Sequence, residues 1–272
     1  EVFPLEIVQK LDYSDLIDEL WVWPLKGLSG ARVVFACDAR VFHLYYKKDK
    51  FILPAYNEAH VILADGRPIY WLSKLWLNKS YEQLTGPGFM MKVLNDEKLK
   101  GKRHMFYGGA PSTIEKLRAR CAQHGINLVY AESPPYLDIA NLDIERVDSL
   151  IRQYSPDFFW CGLGAPKQEH LIHHLDKDVE VVMAGVGLAF DYYAGSVEEA
   201  PAAVSQLGLE WLWRYAQQPA RIKRFIPPFF FVLRILVIEM GTKKLPTIGI
   251  KVKSFKNYPI PVIIKKYIDA YS

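Results

Sequence analysis

Apolar, β-branched and aromatic residues gather in short runs at Arg32 to Ala36, His60 to Ala64, His104 to Tyr107, Leu128 to Ala131, Asp157 to Leu163 and Glu180 to Val186. Runs this short and this continuous suit strands covered on both faces. Between them the apolar spacing turns helical, as at Ile114, Leu117 and Cys121, or Ile144, Val147 and Ile151. This alternation predicts an α/β fold, a mostly parallel, Rossmann-like sheet with helices on both faces, whose ligands bind beyond the carboxyl ends of the strands.

Three of the runs end in glycine. His104-Met-Phe-Tyr-Gly108-Gly109-Ala-Pro111 is followed by helical spacing, Phe158-Phe-Trp-Cys-Gly162-Leu-Gly164-Ala-Pro166-Lys167-Gln168-Glu169 repeats the pattern, and Val181 to Gly185-Val-Gly187 begins a third. Glycine lets backbone approach a ligand closely, and helix-start N–H groups favour phosphate oxygens, so the repetition points to an anionic, nucleotide-like ligand. Gly162-Leu-Gly164 lacks the third glycine and the trailing acidic residue of the dinucleotide fingerprint, which disfavours a nicotinamide cofactor. The chain has no GxxxxGK[ST], HExxH or GxSxG sequence, so P-loop, zincin and serine-hydrolase chemistry have no footing.

After Val186 the alternation gives way. Ala203 to Gln217 has helical spacing, with Leu207, Trp211 and Tyr215 along one face, and Pro219 ends it. Arg221, Lys223 and Arg224 then precede a greasy stretch, Phe225 to Met240, which contains Pro227, Pro228 and Arg234 and is too short and interrupted to cross a bilayer. Cations beside such a stretch describe a segment lying among lipid headgroups; a C-terminal helix packed against the sheet is the other reading.

Charge sharpens this division. The whole chain carries +4, but residues 211–272 hold 12 Lys and Arg against Glu239 and Asp269, leaving residues 1–210 net acidic. The expected organisation is an α/β domain over 1–210 and a basic, membrane-associating appendage over 211–272. The tail's cations interleave with proline and aliphatic runs and match no nucleic-acid-binding module, so no nucleic-acid partner is expected. Cys37, Cys121 and Cys161 form no metal-ligand or disulfide pattern. The opening Glu-Val-Phe-Pro-Leu-Glu lacks the basic start of a secretory leader, and a reducing cytoplasm is the expected compartment. Aromatic residues make up 14% of the chain, enough for ring-stacking sites or for a Trp-rich core.

Several segments carry a resemblance. They are Ala64-Asp65-Gly66-Arg67-Pro68, Leu84-Thr85-Gly86, Gly162 to Glu169, Gly185-Val-Gly187, Ala189-Phe-Asp191-Tyr-Tyr-Ala-Gly195, Ala200-Pro201 and Gly208-Leu-Glu-Trp-Leu-Trp-Arg214. In these the chain resembles the WecG/TagA/CpsF glycosyltransferases, in order from about Val33 to Phe225. The resemblance implies transfer of a hexose-type sugar from a UDP-sugar to a polyprenyl (undecaprenyl) diphosphate-linked sugar, with inversion and without a metal or other cofactor. It also implies work at the cytoplasmic face of the bacterial inner membrane, in exopolysaccharide, capsule or cell-wall polymer synthesis, by a homodimer in solution. A non-catalytic binder of nucleotide-sugar or lipid diphosphate at the membrane is the alternative.

Inverting transfer needs a base for the acceptor hydroxyl and a site for the UDP leaving group. Asp65 follows a strand-like run and precedes Gly66; by position alone it is a turn former, while the resemblance implies the base. Substrate contacts are expected from Gly108 and Gly109, from Gly162, Gly164, Pro166, Lys167, Gln168 and Glu169, and from Gly185 and Gly187. Lys167 and Gln168 open a helix after a glycine loop and would hold a diphosphate. Asp191 falls in the Ala-Phe-Asp element and would bind nucleotide or shape the donor pocket, an N-cap being the bland alternative. Tyr136 matches an aromatic that would pack on uracil, Thr85 lies in the Leu-Thr-Gly element, and Arg214, Arg221 and Arg224 match arginines that would pair with phosphates.

The chain departs from the family pattern at two places. It has Gln83-Leu-Thr-Gly-Pro-Gly88 where many members carry Arg-Val-Thr-Gly-x-Asp, losing a cation and a carboxylate, with Arg67 or Arg40 as substitutes. It has Cys37-Asp38-Ala39 where many have Asn-Ala, which makes Asp38 a rival carboxylate near Asp65. Its Asp-x-Asp triplet, Asp176-Lys-Asp178, precedes a strand and is expected at the edge opposite the glycine loops, so no metal is expected there.

Overall fold

A computed structural model describes residues 30–67, 69–71, 83–198, 200 and 201, together with 16, 17, 20, 204, 212, 213, 216, 228, 230–232 and 234. All six apolar runs form strands: β1 (Arg32–Cys37), β2 (Val61–Ala64), β3 (His104–Gly108), β4 (Leu128–Glu132), β5 (Phe158–Gly162) and β6 (Val182–Gly185). They pair in parallel in the order β2-β1-β6-β5-β3-β4.

The helices follow from connection handedness. Parallel crossovers are right-handed, so steps along the sheet in one direction lay helices on one face and return steps on the other. Steps β1 to β2 and β5 to β6 run one way, and their helices α1 (Ala39–Tyr46), α2 (Ile52–Glu58) and α6 (Lys167–His174) pack together. Steps β2 to β3 and β3 to β4 run the other way, carrying α3 (Gly86–Asn95) and α4 (Pro111–Gln123), against which α7 (Ala189–Tyr193) packs. The return from β4 to β5 carries α5 (Ile144–Tyr154), capped by Asp143, whose carboxylate accepts from the Arg146 amide at 3.0 Å.

Aromatic side chains fill the centre of this sandwich. Trp160, Phe35, Phe89, Phe106, Phe159 and Phe190 are fully buried, so much of the aromatic content serves the core. His104 is buried among them. Its Nδ1 accepts from Trp160 Nε1 at 3.2 Å and its Nε2 lies 3.1 Å from the Leu99 carbonyl, partners that suit the neutral ring with its proton on Nε2. Burial pushes its pKa down to about 4. Cys37, Cys121 and Cys161 are buried with free thiols.

Part of the C-terminal greasy stretch meets this domain. Phe231 lies 6.0 Å from Phe42, 4.7 Å from His43 and 4.8 Å from Tyr46, ring to ring, all on α1. Val232 is buried, whereas Phe230 is 62% exposed. Among the described residues no helix is long and apolar enough to cross a membrane. Arg214, Arg221 and Arg224 lie outside the described residues.

Candidate active site

The site begins with strand register. Cys37 and Ala64 pair at the ends of β1 and β2, which makes Asp38 and Asp65 the next residue on each strand. The Asp65 amide donates to the Cys37 carbonyl at 3.1 Å, continuing the ladder by one step. Asp38 serves as N-cap of α1, its Oδ1 accepting from the Val41 amide at 2.8 Å. Both carboxylates line a cleft of about 760 Å³ at the carboxyl edge of the sheet, and Arg40 reaches the same cleft from the first turn of α1. The Cys37 thiol beneath them is pushed well up, by burial first and then by Asp38, Asp65 and Glu169.

The far wall is built from the glycine loops. A Cβ on Gly108, at φ +120°, would stand 2.6 Å from the Gly162 carbonyl carbon, and one on Gly162 would stand 2.6 Å from the Phe190 ring. Only bare backbone lets β3, β5 and the Phe190 side chain meet this closely beneath the cleft. Two helices open onto it without side-chain caps, α4 behind Ala110 and α6 behind Pro166. Uncapped helix starts carry N–H groups and the positive end of the helix dipole, so they favour an anion in the space before them. The edge of this wall is set by Ser133 just after β4, whose Oγ donates to the Gly109 carbonyl at 2.8 Å.

Among the sequence-derived candidates, Asp38, Asp65, Gly109, Tyr136, Gly162, Gly164, Lys167, Gln168, Gly187 and Asp191 all line this one cleft. Lys167 Nζ donates to the Leu137 carbonyl at 2.5 Å and sits 3.5 Å from the centre of the Tyr136 ring, which is 86% exposed at the rim. Asp191 is the third residue of α7, whose N-cap is Leu188, so the N-cap alternative does not hold. Its Oδ1 instead accepts from Thr113 Oγ1 on α4 at 2.7 Å.

Other candidates stand behind the cleft or away from it. Gly108 and Gly185 support the wall from within, a Cβ on Gly185 meeting the Phe35 ring at 2.9 Å, and Pro166 is the half-buried N-cap of α6. Glu169 is fully buried outside the lining, and Gln168, although part of the lining, is buried as well. The Gln168 amide oxygen accepts from Gly164 N at 3.2 Å and Gly187 N at 3.0 Å, and its nitrogen donates to Glu169 Oε1 at 3.0 Å, so its polar groups brace the loops. Thr85 caps α3 by accepting from Gly88 N at 3.0 Å, while Gly86 brings that helix against Ala36 and Val186 and Pro87 reaches the cleft. Arg67 lies 5.4 Å from the Tyr70 ring centre, outside the lining, so that among the described residues Arg40 is the arginine at the acidic end of the cleft.

Asp176 and Asp178 precede β6 at the amino edge of the sheet. Asp176 pairs with Arg152 and accepts from the Asp178 amide at 2.9 Å, while the intervening Lys177 carbonyl takes the Ala31 amide ahead of β1 at 2.8 Å. This is the edge opposite the cleft. Contributors that the sequence reading passed over are Phe190 as floor, Thr113 as partner of Asp191, and Ser133. Each acts through a contact between segments far apart in the chain; Thr113 and Ser133 have no local sequence signal, whereas Phe190 stands within the Ala-Phe-Asp element.

A family model described as "Glycosyl transferase WecG/TagA/CpsF family" matches residues 2–244. The chain is similar to proteins named N-acetylglucosaminyldiphosphoundecaprenol N-acetyl-β-D-mannosaminyltransferase from three organisms. That of Bacillus subtilis (strain 168) is 29% identical over 199 residues, covering 72% of this chain and 76% of the relative. That of Bacillus spizizenii is 30% identical over 191 residues, 69% and 72% respectively, and that of Staphylococcus aureus (strain MW2) is 28% identical over 189 residues, 69% and 73%.

Proposed function

We propose that this chain, which belongs to the WecG/TagA/CpsF glycosyltransferase family and is a glycosyltransferase, moves a sugar from a UDP-sugar to a sugar carried on polyprenyl diphosphate, with inversion. The relatives' names make N-acetylmannosamine the first sugar to test and N-acetylglucosaminyl-diphosphoundecaprenol the first acceptor class. The observation that carries the reading is the placement of Asp65 at a strand end in the cleft that the glycine loops and two uncapped helix starts also line.

In this reading the acceptor hydroxyl lies against Asp65, which takes its proton as the oxygen attacks the anomeric carbon. The bond to the UDP oxygen breaks on the opposite side of that carbon. General-base help of this kind is worth about 10²- to 10⁴-fold. The charge gathering on UDP is met by the starts of α4 and α6 with Lys167 and Arg40, which supply the electrostatic stabilisation that transferases of other types draw from a metal. Tyr136 packs on the uracil ring and Asp191 helps shape the nucleotide pocket. The 211–272 segment rests on the cytoplasmic face of the membrane, with Arg214, Arg221 and Arg224 pairing with phosphates.

The test is to incubate the chain with a panel of UDP-sugars and a short-chain prenyl-diphosphate N-acetylglucosamine, with and without EDTA, and read product masses. One added sugar, with a rate that EDTA leaves unchanged, is expected. Binding of UDP without any product would overturn the transferase assignment in favour of a binder, and loss of product in EDTA restored by Mg²⁺ or Mn²⁺ would overturn the metal-free mechanism.

A further inference from the structure

Glu169 is a carboxyl with no exposed surface, one residue inside the cleft wall. Its Oε1 accepts from Gln168, and its Oε2 is buried without a hydrogen-bond partner. Gln168 spends its own oxygen on the amides of Gly164 and Gly187. One oxygen holding two N–H groups leaves the amide nitrogen pointing at Glu169, where only an acceptor can stand. A single hydrogen-bonded chain therefore runs from a buried carboxyl to both loops that frame the cleft.

We propose that Glu169 is a positioning residue that sets the Gly162–Gly164 and Gly185–Gly187 loops through the Gln168 amide and takes up a proton when a nucleoside diphosphate occupies them. The proposal rests on the UDP-sugar reading above. Among the described residues, the charged and titratable groups acting on Glu169 are Asp38 and Arg40 at the start of α1, Cys37 on β1, Tyr56 on α2 and Cys161 on β5; β6 contributes none. Only Arg40 among them brings positive charge. Burial, the largest cause, pushes the Glu169 pKa up to about 7; Asp38 adds to it, while Gln168, the residue's own amide and Arg40 oppose it.

A diphosphate bound one amide away brings further negative charge, which favours the neutral carboxyl. The proton comes from solvent and binds Glu169; no bond of the ligand changes. By linkage, UDP affinity then falls as pH rises above 7, tenfold for about each pKa unit by which UDP raises Glu169.

The experiment is calorimetric titration of the full chain with UDP from pH 6 to 9, in buffers of different ionisation enthalpy, beside Glu169→Gln. The nucleotide's own titration is common to both proteins and cancels in their ratio. The unaltered chain is expected to take up an additional proton near neutral pH and to lose affinity relative to Glu169→Gln as pH rises. Glu169→Leu, which strands the Gln168 amide nitrogen, should weaken UDP roughly 5- to 100-fold at every pH. As a check free of any substitution, the Glu169 carboxyl carbon should titrate at higher pH by NMR once UDP is added. Equal proton uptake with parallel pH profiles in the two proteins, or a carboxyl that titrates identically with and without UDP, overturns the inference. Failure of the unaltered chain to bind UDP at any pH overturns the nucleotide reading beneath it.

Discussion

The Asp65 amide is bonded to the carbonyl of Cys37, the residue before Asp38, so two acidic side chains are held on adjacent strand ends in one cleft. They are not equivalent. Asp38 has an oxygen committed to the α1 amide of Val41, whereas Asp65 follows β2 into a glycine turn, with Gly66 at φ +81°.

That difference separates their variants. Asp65→Asn should fold and bind UDP but lose transfer by about 10²- to 10⁴-fold, since an amide cannot accept the proton. Asp38→Asn keeps a good helix cap and should lose less than about tenfold, while Asp38→Ala should also cost about 1 kcal/mol of stability. Single-turnover rates with a soluble acceptor decide it, and the reverse order would make Asp38 the base.

The glycine wall predicts a graded series in urea unfolding. Gly162→Ala drives a methyl into the buried Phe190 ring and should cost about 1–3 kcal/mol. Gly108→Ala should cost more, because its methyl meets the Gly162 backbone and its φ of +120° strains any side chain. Gly125→Ala, at φ +67° with nothing within 4 Å, should cost only the conformational penalty of about 1–2 kcal/mol. Equal losses at all three positions would contradict the close approach at the cleft floor.

His104 predicts an acid-side loss of stability. Its folded pKa, about 4, lies below the unfolded value of 6.5, so above pH 6.5 the ring is neutral in both states. As pH falls from 6.5 toward 4 the unfolded chain takes up a proton that the folded chain refuses, and stability drops by up to about 3 kcal/mol. Below about pH 4 the folded ring protonates too and this contribution levels off. Urea midpoints across that range should show the slope, and His104→Gln, with no ring to titrate, should flatten it.

Phe230 and Phe231 make opposite forecasts. Phe231→Ala removes the ring that α1 holds through Phe42, His43 and Tyr46, and should lower stability by about 1–2 kcal/mol. Phe230→Glu alters an exposed ring, so it should leave stability within about 0.5 kcal/mol while weakening binding to anionic vesicles. Thermal unfolding beside vesicle co-sedimentation reads both, and unchanged sedimentation of Phe230→Glu would place the lipid contact elsewhere.

Five strands were legible because a parallel strand buried on both faces reads as an unbroken apolar run; β4, at the sheet edge with only Ala131 buried, keeps such a run without that burial. The helices α1, α2 and α3 were harder to read. Gly86-Pro87-Gly88 resembles a loop, yet Thr85 followed by proline is a helix-start signal, and the structure uses it as one. Asp38, read as a rival carboxylate, is also the signal that starts α1. For Gln168 the clue was helical phase: positions 168, 171, 172 and 175 share one face with Leu171, Ile172 and Leu175, so its side chain belonged to the interior. The Thr113 to Asp191 bond joins two helices 78 residues apart, and only the folded sheet brings them together.

The strand order divides the chain's inheritance. Both acids arrive on β1 and β2, within residues 30–66, whereas every glycine loop arrives after residue 107 on β3, β5 and β6. The two groups meet along one seam, the backbone pairing of β1 with β6, while Gly86 and Pro87 of α3 close over that seam from above the sheet. A β1-to-β2 cassette taken from a relative therefore has to match that pairing, the underside of α3, the packing of α2 on α6 and the face of α1 that holds Phe231. Variation can rework the acidic end of the cleft while the glycine loops, braced among themselves by Gln168, keep their shape.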